Sequence, residues 1–365
     1  MATFLKSFEG RRVLVTGHTG FKGSWLSEWL IGLGSDVWGF SLPPATRPDH
    51  FTQIGLAARM NHIVGDIRNP AEIRKAVTIS RPDYVFHLAA QPIVRTAHDE
   101  PTETWSTNVM GTVHVLDALR KLNRPCAAVI VTTDKVYGTA DGVRVEKHPS
   151  SAKDIYGASK AAAEVAVEAW RHSFYRPSAE GQAHLPVVAV ATARSGNVIG
   201  GGDWAKDRIL PDCIRALMRG RPIVVRNPAS VRPWQHVLDP LCGYLSLASE
   251  LRKALELKDG RRVAELSGPF NFGPAAKDHR TVEQLVNEVL GNWPGTWIRR
   301  DSGHPAIETP VLRLNARKAA RLLGWKPRWN FETTVENTVG WYAEATSSPR
   351  ALAATLRQIT SFADQ

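Results

Sequence analysis

The chain has 365 residues, 43% hydrophobic and 22% charged, a balance that excludes a disordered or membrane-embedded protein and supports a large buried core. Its 46 basic residues against 35 acidic ones give a formal net charge of +11, which favours an anionic ligand. The basic residues are dispersed, with no block of five or six together, which argues against nucleic acid and fits a phosphate-bearing small molecule.

Met1 to Gly10 carries no signal-peptide core and no later apolar run reaches membrane-spanning length, so a cytoplasmic protein without membrane contact is expected. The first half then alternates β-branched runs with helical patterns, the rhythm of a parallel sheet with crossover helices. Strands are predicted at Arg12–Thr16, Asp36–Ser41, His62–Asp66, Tyr84–Ala89, Ala127–Thr133 and Pro186–Ala193. Helices are predicted at Gly23–Leu33, Pro101–Leu122 and Ile155–Ser173. Six parallel strands suit a doubly wound Rossmann sheet. After Ser195 the pattern breaks into a Gly-rich loop, a helix at Asp207–Arg219 and a strand at Pro222–Arg226. Helices follow at Asp239–Leu257, Thr281–Leu290, Asn315–Leu323 and Phe331–Ala345, with strands near Pro269–Phe272 and Thr296–Arg299; Asn315 is a suitable N-cap. The expected architecture is α/β, with a dinucleotide-binding domain at 1–195 to which a segment near 235–270 returns. A smaller C-terminal mixed α/β substrate lobe is expected from 196–234 and 271–365. Cys126, Cys213 and Cys242 are widely spaced, match no metal site and are expected as buried, unreactive thiols.

Four segments carry chemistry. Gly17-His18-Thr19-Gly20-Phe21-Lys22-Gly23 joins the first strand to the first helix, the setting in which glycines admit a pyrophosphate to a helix N-terminus. A ligand-free Gly-rich turn is the alternative, and its place after the first strand counts against that. Asp66 ends the third strand, where its carboxylate would accept from an adenine amino group or cap a helix. His87-Leu88-Ala89-Ala90-Gln91 puts small residues at the carboxyl end of the fourth strand, for a cofactor lying across it or for close helix packing. Tyr156 and Lys160 are four apart, on one helix face, so a cation near the phenol would lower its pKa toward the working pH. They follow a strand ending Thr132-Thr133-Asp134-Lys135, at the same edge of the sheet.

On these residues the chain resembles the extended short-chain dehydrogenases/reductases over nearly its whole length. Two longer strings, Arg194 to Arg208 and Val231 to Pro240, resemble the CDP-glucose 4,6-dehydratase subfamily, as do the Thr16 to Gly23 opening and Ala90 to Arg95. Asp134-Lys135 supports the same subfamily, because the dTDP-glucose and GDP-mannose dehydratases have Asp-Glu there.

The resemblance implies catalytic roles for Thr133, Asp134, Lys135, Tyr156 and Lys160. It implies cofactor contacts from Gly17, His18, Gly20, Phe21, Lys22, Gly23, Asp66, Ile67, Leu88, Ala89, Ala90, Gln91, Asn108 and Thr132, besides Tyr156 and Lys160. Arg95, Asn197, Arg208, Arg232 and Asn271 are the implied substrate contacts, with Arg232 and Asn197 at the pyrophosphate. The implied cofactor is NAD, although the second strand runs into Gly39-Phe40-Ser41-Leu42-Pro43 without an acid for the ribose, and Lys22 and Arg47 would tolerate a 2'-phosphate. The implied reaction converts CDP-glucose to its 4-keto-6-deoxy form for deoxysugar biosynthesis, as for O-antigen. Tyr156 would act at the 4-hydroxyl, Asp134 as acid at the 6-hydroxyl and a neutral Lys135 as base at carbon 5. A homodimer or larger homo-oligomer through helices Pro101–Leu122 and Ile155–Ser173 is expected, with no metal and no nucleic acid. Alternatives are a nucleotide-sugar 4-epimerase, a 4,6-dehydratase of another nucleotide sugar, and a cofactor-binding scaffold without turnover.

Overall fold

The computed structural model describes residues 3–138, 142–175, 187–300 and 313–365. Its sheet begins with β1 (Arg12–Thr16), β2 (Asp36–Ser41), β3 (Asn61–Val64), β4 (Tyr84–His87), β5 (Cys126–Val131) and β6 (Val188–Ser195). Short strands β7 (Val198–Ile199), β8 (Ile223–Val225), β9 (Val231–Pro233) and β10 (Gln235–His236) follow outside it. The chain then returns through helix Leu238–Glu256 to lay β11 (Pro269–Phe272) against β6. The sheet order is β11-β6-β5-β4-β1-β2-β3, all parallel. The sheet thus has seven strands where the sequence pattern predicts six. Pro269–Phe272 is too short to announce a sheet partner, yet Phe270 and Phe272 are fully buried beside β6.

Alternation along β1 shows why both faces are covered: Val13 and Val15 belong to one core cluster and Leu14 to another. Helices Phe21–Gly32 and Leu238–Glu256 pack on the first face, and Pro70–Ser80, Gly111–Leu119 and Ile155–Phe174 on the second. The chain reverses direction across the sheet between β1 and β4, the switch point where ligands bind in such folds. The carboxyl ends of β1, β3, β4 and β5 therefore bring the Gly17–Gly23 turn, Asp66, His87–Gln91 and Thr132–Lys135 to one edge, and β6 adds Ser195 and Gly196.

The outer lobe joins β10 to β7, β12 (His279–Thr281) to β9 and β13 (Trp297–Arg299) to β8. Trp25 Nε1 donates to the Gly201 carbonyl at 2.9 Å and His50 Nε2 lies 3.1 Å from Thr355 Oγ1, fastening lobe to sheet. The long helix predicted from Pro101 is present as Pro101–Trp105 and Gly111–Leu119, with a π-turn at Ser106–Met110 between them in continuous helical backbone. Helices Pro70–Ser80, Val94–Asp99, Gly260–Leu266 and Ser348–Ala363 have no counterpart in the predicted pattern. The predicted start of the sixth strand, Pro186, lies outside the described residues. Asn315 is not the N-cap: the helix Arg317–Leu323 is capped at Ala316 without a side-chain bond, and Asn315, one residue earlier, accepts the Arg317 N–H at 2.8 Å on its Oδ1. The three cysteines are unpaired and buried, and burial pushes each thiol up to about 12, as inert thiols require. Among the described residues no helix is long and apolar enough to cross a membrane.

Candidate active site

At the end of β1 the chain turns through Gly17, at φ 76°, into helix Phe21–Gly32. A Cβ on Gly17 would stand 2.6 Å from the Ala89 backbone nitrogen, and one on Gly23 would strike the Gly17 carbonyl, so neither turn nor helix closes with a larger residue. Gly20 differs: a Cβ there would meet only the Gly17 oxygen, at 3.3 Å, and as N-cap it brings no side-chain acceptor. The first-turn N–H groups and the positive end of the helix dipole are left for an anion. One glycine for the turn, one for approach and one for packing is the arrangement a dinucleotide pyrophosphate needs, so the residues present fit that cofactor.

The other residues expected at the cofactor divide into two sets. Leu88 and Ala89 follow β4 directly against Gly17, and Ala90 comes next in the chain. Gln91 and Asn108 are locked together: Asn108 Oδ1 accepts the Gln91 N–H at 2.8 Å, and Asn108 Nδ2 donates to the Gln91 carbonyl at 3.1 Å and to Ser159 Oγ at 2.9 Å. Asn108 is fully buried in the π-turn and shapes the site through this loop and Ser159. His18 turns away, its Nε2 2.6 Å from His62 Nδ1 and its ring occupying the space beside Gly39. Phe21 packs under Gly200, and Ile67 is buried against Gly111. Asp66 is engaged by Arg68, Oδ1 accepting its N–H at 2.8 Å and Oδ2 its guanidinium at 2.6 Å. Where an acid would stand at the end of β2, Ser41 Oγ lies 2.9 Å from Thr19 Oγ1.

Tyr156 and Lys160 are buried on the first two turns of helix Ile155–Phe174, whose start is capped by Asp154 accepting the Gly157 N–H at 2.9 Å. The sequence expectation that Lys160 lowers the phenol is not met. Burial pushes Tyr156 up to about 12, opposed by a hydrogen bond with Thr133 and by the Arg208 guanidinium. Lys160 Nζ instead donates to the Val131 carbonyl at 3.1 Å. Burial lowers the ammonium to about 8, with Glu164 opposing. Asp134 is 2% exposed; Oδ1 accepts from Thr133 Oγ1 at 3.2 Å and Oδ2 meets no hydrogen-bond partner among the described residues. Burial raises its pKa against the pull of Lys135, the Thr133 hydrogen bond, Arg232 and Lys22. Desolvation of this kind favours the protonated form of a carboxyl, the form that can donate a proton.

Lys22, expected at the cofactor, sends its ammonium inward to Ser195 Oγ at 2.9 Å, and that hydroxyl lies 2.7 Å from Tyr244 OH. Burial, then Arg208 and Lys160, push Lys22 down to about 7. Arg208 pairs with Asp203 at 2.8 Å and adds its field to Tyr156, while Arg232 is buried and adds to that at Asp134. Asn197 follows Gly196, whose missing Cβ leaves room for the Asp134 carboxyl. Arg95 pairs across the cleft mouth with Asp207 at 3.1 Å, which also meets Arg226 at 3.4 Å. Asn271 is committed elsewhere: its Oδ1 accepts from Tyr137 OH at 2.8 Å and its Nδ2 donates to the Arg144 and Asn315 carbonyls at 3.2 and 3.3 Å. Sequence reasoning gave no role to Glu164 or Tyr244, and it carried Arg194, Gly196 and Asp203 only as part of the Arg194 to Arg208 string, without a role. Glu164 had a local signal, being one helical turn beyond Lys160.

Comparison with known proteins agrees with this geometry. The family model described as GDP-mannose 4,6 dehydratase matches residues 14–258. The chain is 41% identical over 360 residues to CDP-glucose 4,6-dehydratase of Salmonella typhimurium, covering 97% of each chain. Among solved structures it resembles MoeE5 in complex with UDP-glucose and NAD, with a TM-score of 0.72 at 25% identity over 92% of this chain and 99% of that one. It also shares the fold of dTDP-glucose 4,6-dehydratase of Bacillus anthracis in complex with NAD, with a TM-score of 0.70 at 22% identity over 91% and 96%. With a glycine turn built for a dinucleotide, a Tyr-Lys helix and a buried acid at one sheet edge, the chain belongs to the GDP-mannose 4,6-dehydratase family.

Proposed function

We propose that this chain is a hydro-lyase that converts CDP-glucose to CDP-4-keto-6-deoxy-glucose with bound NAD. The observation that carries the reading is the Asp134 carboxyl, buried, raised by desolvation and without a hydrogen-bond partner at Oδ2 among the described residues, beside Thr133 and Tyr156. A 4-epimerase shares the first oxidation but loses no water and has no use for this acid. The full-length similarity to a CDP-glucose 4,6-dehydratase supports the cytidine nucleotide, and the NAD complexes of MoeE5 and the Bacillus enzyme support the cofactor.

When bound, NAD supplies the acceptor that takes hydrogen from carbon 4 and the donor that returns it to carbon 6. Tyr156, as phenolate, removes the proton from the 4-hydroxyl and Thr133 hydrogen-bonds that oxygen. The resulting ketone acidifies carbon 5, from which Lys135 in its neutral form takes the proton, while protonated Asp134 gives its proton to the departing 6-hydroxyl. Arg208 and Arg232 offer guanidinium groups to the diphosphate.

The division into a Rossmann domain and a substrate lobe, the cytoplasmic location and the homodimer belong to the same proposal. A surface groove of about 460 Å³ lined by Pro101, Thr102, Trp105, Ser106, Val109 and Met110 supports the dimer, since it leaves large apolar side chains facing solvent. The test of the reaction is incubation with CDP-, dTDP-, UDP- and GDP-sugars followed by mass analysis. Loss of 18 mass units, about one water, from CDP-glucose supports the reading, and an unchanged mass with every sugar overturns it.

A further inference from the structure

The carboxylate of Glu164 is the junction of three elements that carry the site. It accepts from Thr132 Oγ1 at 2.6 Å, at the end of β5 beside Thr133 and Asp134. It also accepts from Arg194 Nε at 2.8 Å on Oε1 and 3.0 Å on Oε2, at the end of β6 beside Ser195 and Gly196. Its own backbone lies in helix Ile155–Phe174, one turn beyond Lys160. Glu164 and Arg194 are both nearly inaccessible to solvent, so this ion pair is not a surface pair with little worth. The network continues from Arg194 Nη1 to Tyr137 OH at 2.6 Å and on to Asn271.

We propose that Glu164 is a positioning residue for the Tyr156–Lys160 pair, fastening their helix to the ends of β5 and β6 and supplying the fixed negative charge beneath Lys160. The proposal rests on the dehydratase reading and deepens it, since Tyr156 and Asp134 lie on two of the elements that the junction joins. The groups around Lys160 show why the charge matters. Lys22 reaches it from helix Phe21–Gly32 as a second cation, and His87 approaches from β4 with its own pKa lowered to about 3 by burial. The Val131 carbonyl of β5 accepts from its ammonium, and the Glu164 carboxylate acts on it in its favour. Burial works against the ammonium and Glu164 works for it.

Glu164→Gln removes the charge and leaves Arg194 unpaired in the same buried space, and both changes disfavour protonated Lys160. The alkaline limb of the turnover profile should move to lower pH by about one unit. Glu164→Asp, which keeps the charge on a shorter arm, should restore the limb at reduced turnover. The same shift should appear in the pH dependence of NADH binding, followed by fluorescence, because Lys160 is among the cofactor contacts. If the parent protein dehydrates no nucleotide sugar, the reaction reading fails on its own, and the NADH profiles of the two variants still decide the role of Glu164. An unmoved limb in Glu164→Gln with uniformly lower turnover or affinity would reduce Glu164 to a structural brace. If Glu164→Gln does not fold, an Asp variant with a limb shifted like that expected of Gln would overturn the proposal equally.

Discussion

Asp134 and Gly196 are fitted to one another: the space that a Cβ on Gly196 would need is filled by Asp134 Oδ2. The acid keeps its place at the end of β5 only because the chain leaving β6 has no side chain at that point. Gly196→Ala should push the carboxyl aside and lower turnover roughly 100-fold, the usual cost of about 1 Å of misplacement. Overpacking should cost about 1–3 kcal/mol of stability. Cofactor affinity should stay within a factor of two or so of the parent, since the glycines at the pyrophosphate are untouched. Steady-state kinetics beside a cofactor titration check this, and parental turnover would show that Asp134 tolerates displacement.

Asp134→Asn should oxidise carbon 4 and then stall, because an amide cannot protonate the departing hydroxyl. Overall turnover should fall by roughly 100- to 10,000-fold. Absorbance of reduced nicotinamide should build up on the protein after substrate is added. Dehydration at the parental rate would remove Asp134 as the acid.

Asp239 lies outside the site and gives a pH test of the fold. Its Oδ1 accepts the Arg328 N–H at 2.7 Å, Oδ2 has no partner among the described residues, and burial pushes the carboxyl up to about 7. In the unfolded chain an aspartate ionises near 4. The folded protein binds this proton more tightly, so its stabilising effect is complete below about pH 4 and lost as pH rises to 7. Asp239→Asn should therefore be more stable than the parent at pH 8, by on the order of 1–3 kcal/mol, with the advantage vanishing near pH 4. Urea midpoints across that range measure it. A difference that does not vary with pH would contradict the assignment.

Met110→Glu should separate the proposed dimer, since Met110 lines the apolar groove and is exposed in the single chain. Light scattering at micromolar concentration should give twice the chain mass for the parent and one chain mass for the variant. A monomeric parent would leave the groove to another partner.

The sequence made the sheet edge legible because glycine spacing, strand ends and the Tyr156–Lys160 turn are local signals. β1 and β2 stand at their predicted bounds. The strand at Pro269–Phe272 was legible, but its place as the seventh strand of the sheet was not, because four residues acquire a partner only beside β6. The same limit separates the candidate residues. Tyr156, Asp134 and Gly20 can be read from their own segments, whereas the Arg208 field on Tyr156 and the inward course of Lys22 depend on contacts between distant parts of the chain. The expected depression of the Tyr156 pKa failed for this reason: helical spacing gives the direction of Lys160 but not the desolvation of the phenol, which is larger.

The central claim is that hydrogen passes within one active site from carbon 4 to carbon 6, and CDP-glucose deuterated at carbon 4 tests it most directly. The product analysed by mass spectrometry and NMR should carry the deuterium at carbon 6, with no reduced nicotinamide released to solution. Deuterium retained at carbon 4, or transferred to a free pool of cofactor, would contradict the account and point to an epimerase or a net dehydrogenase.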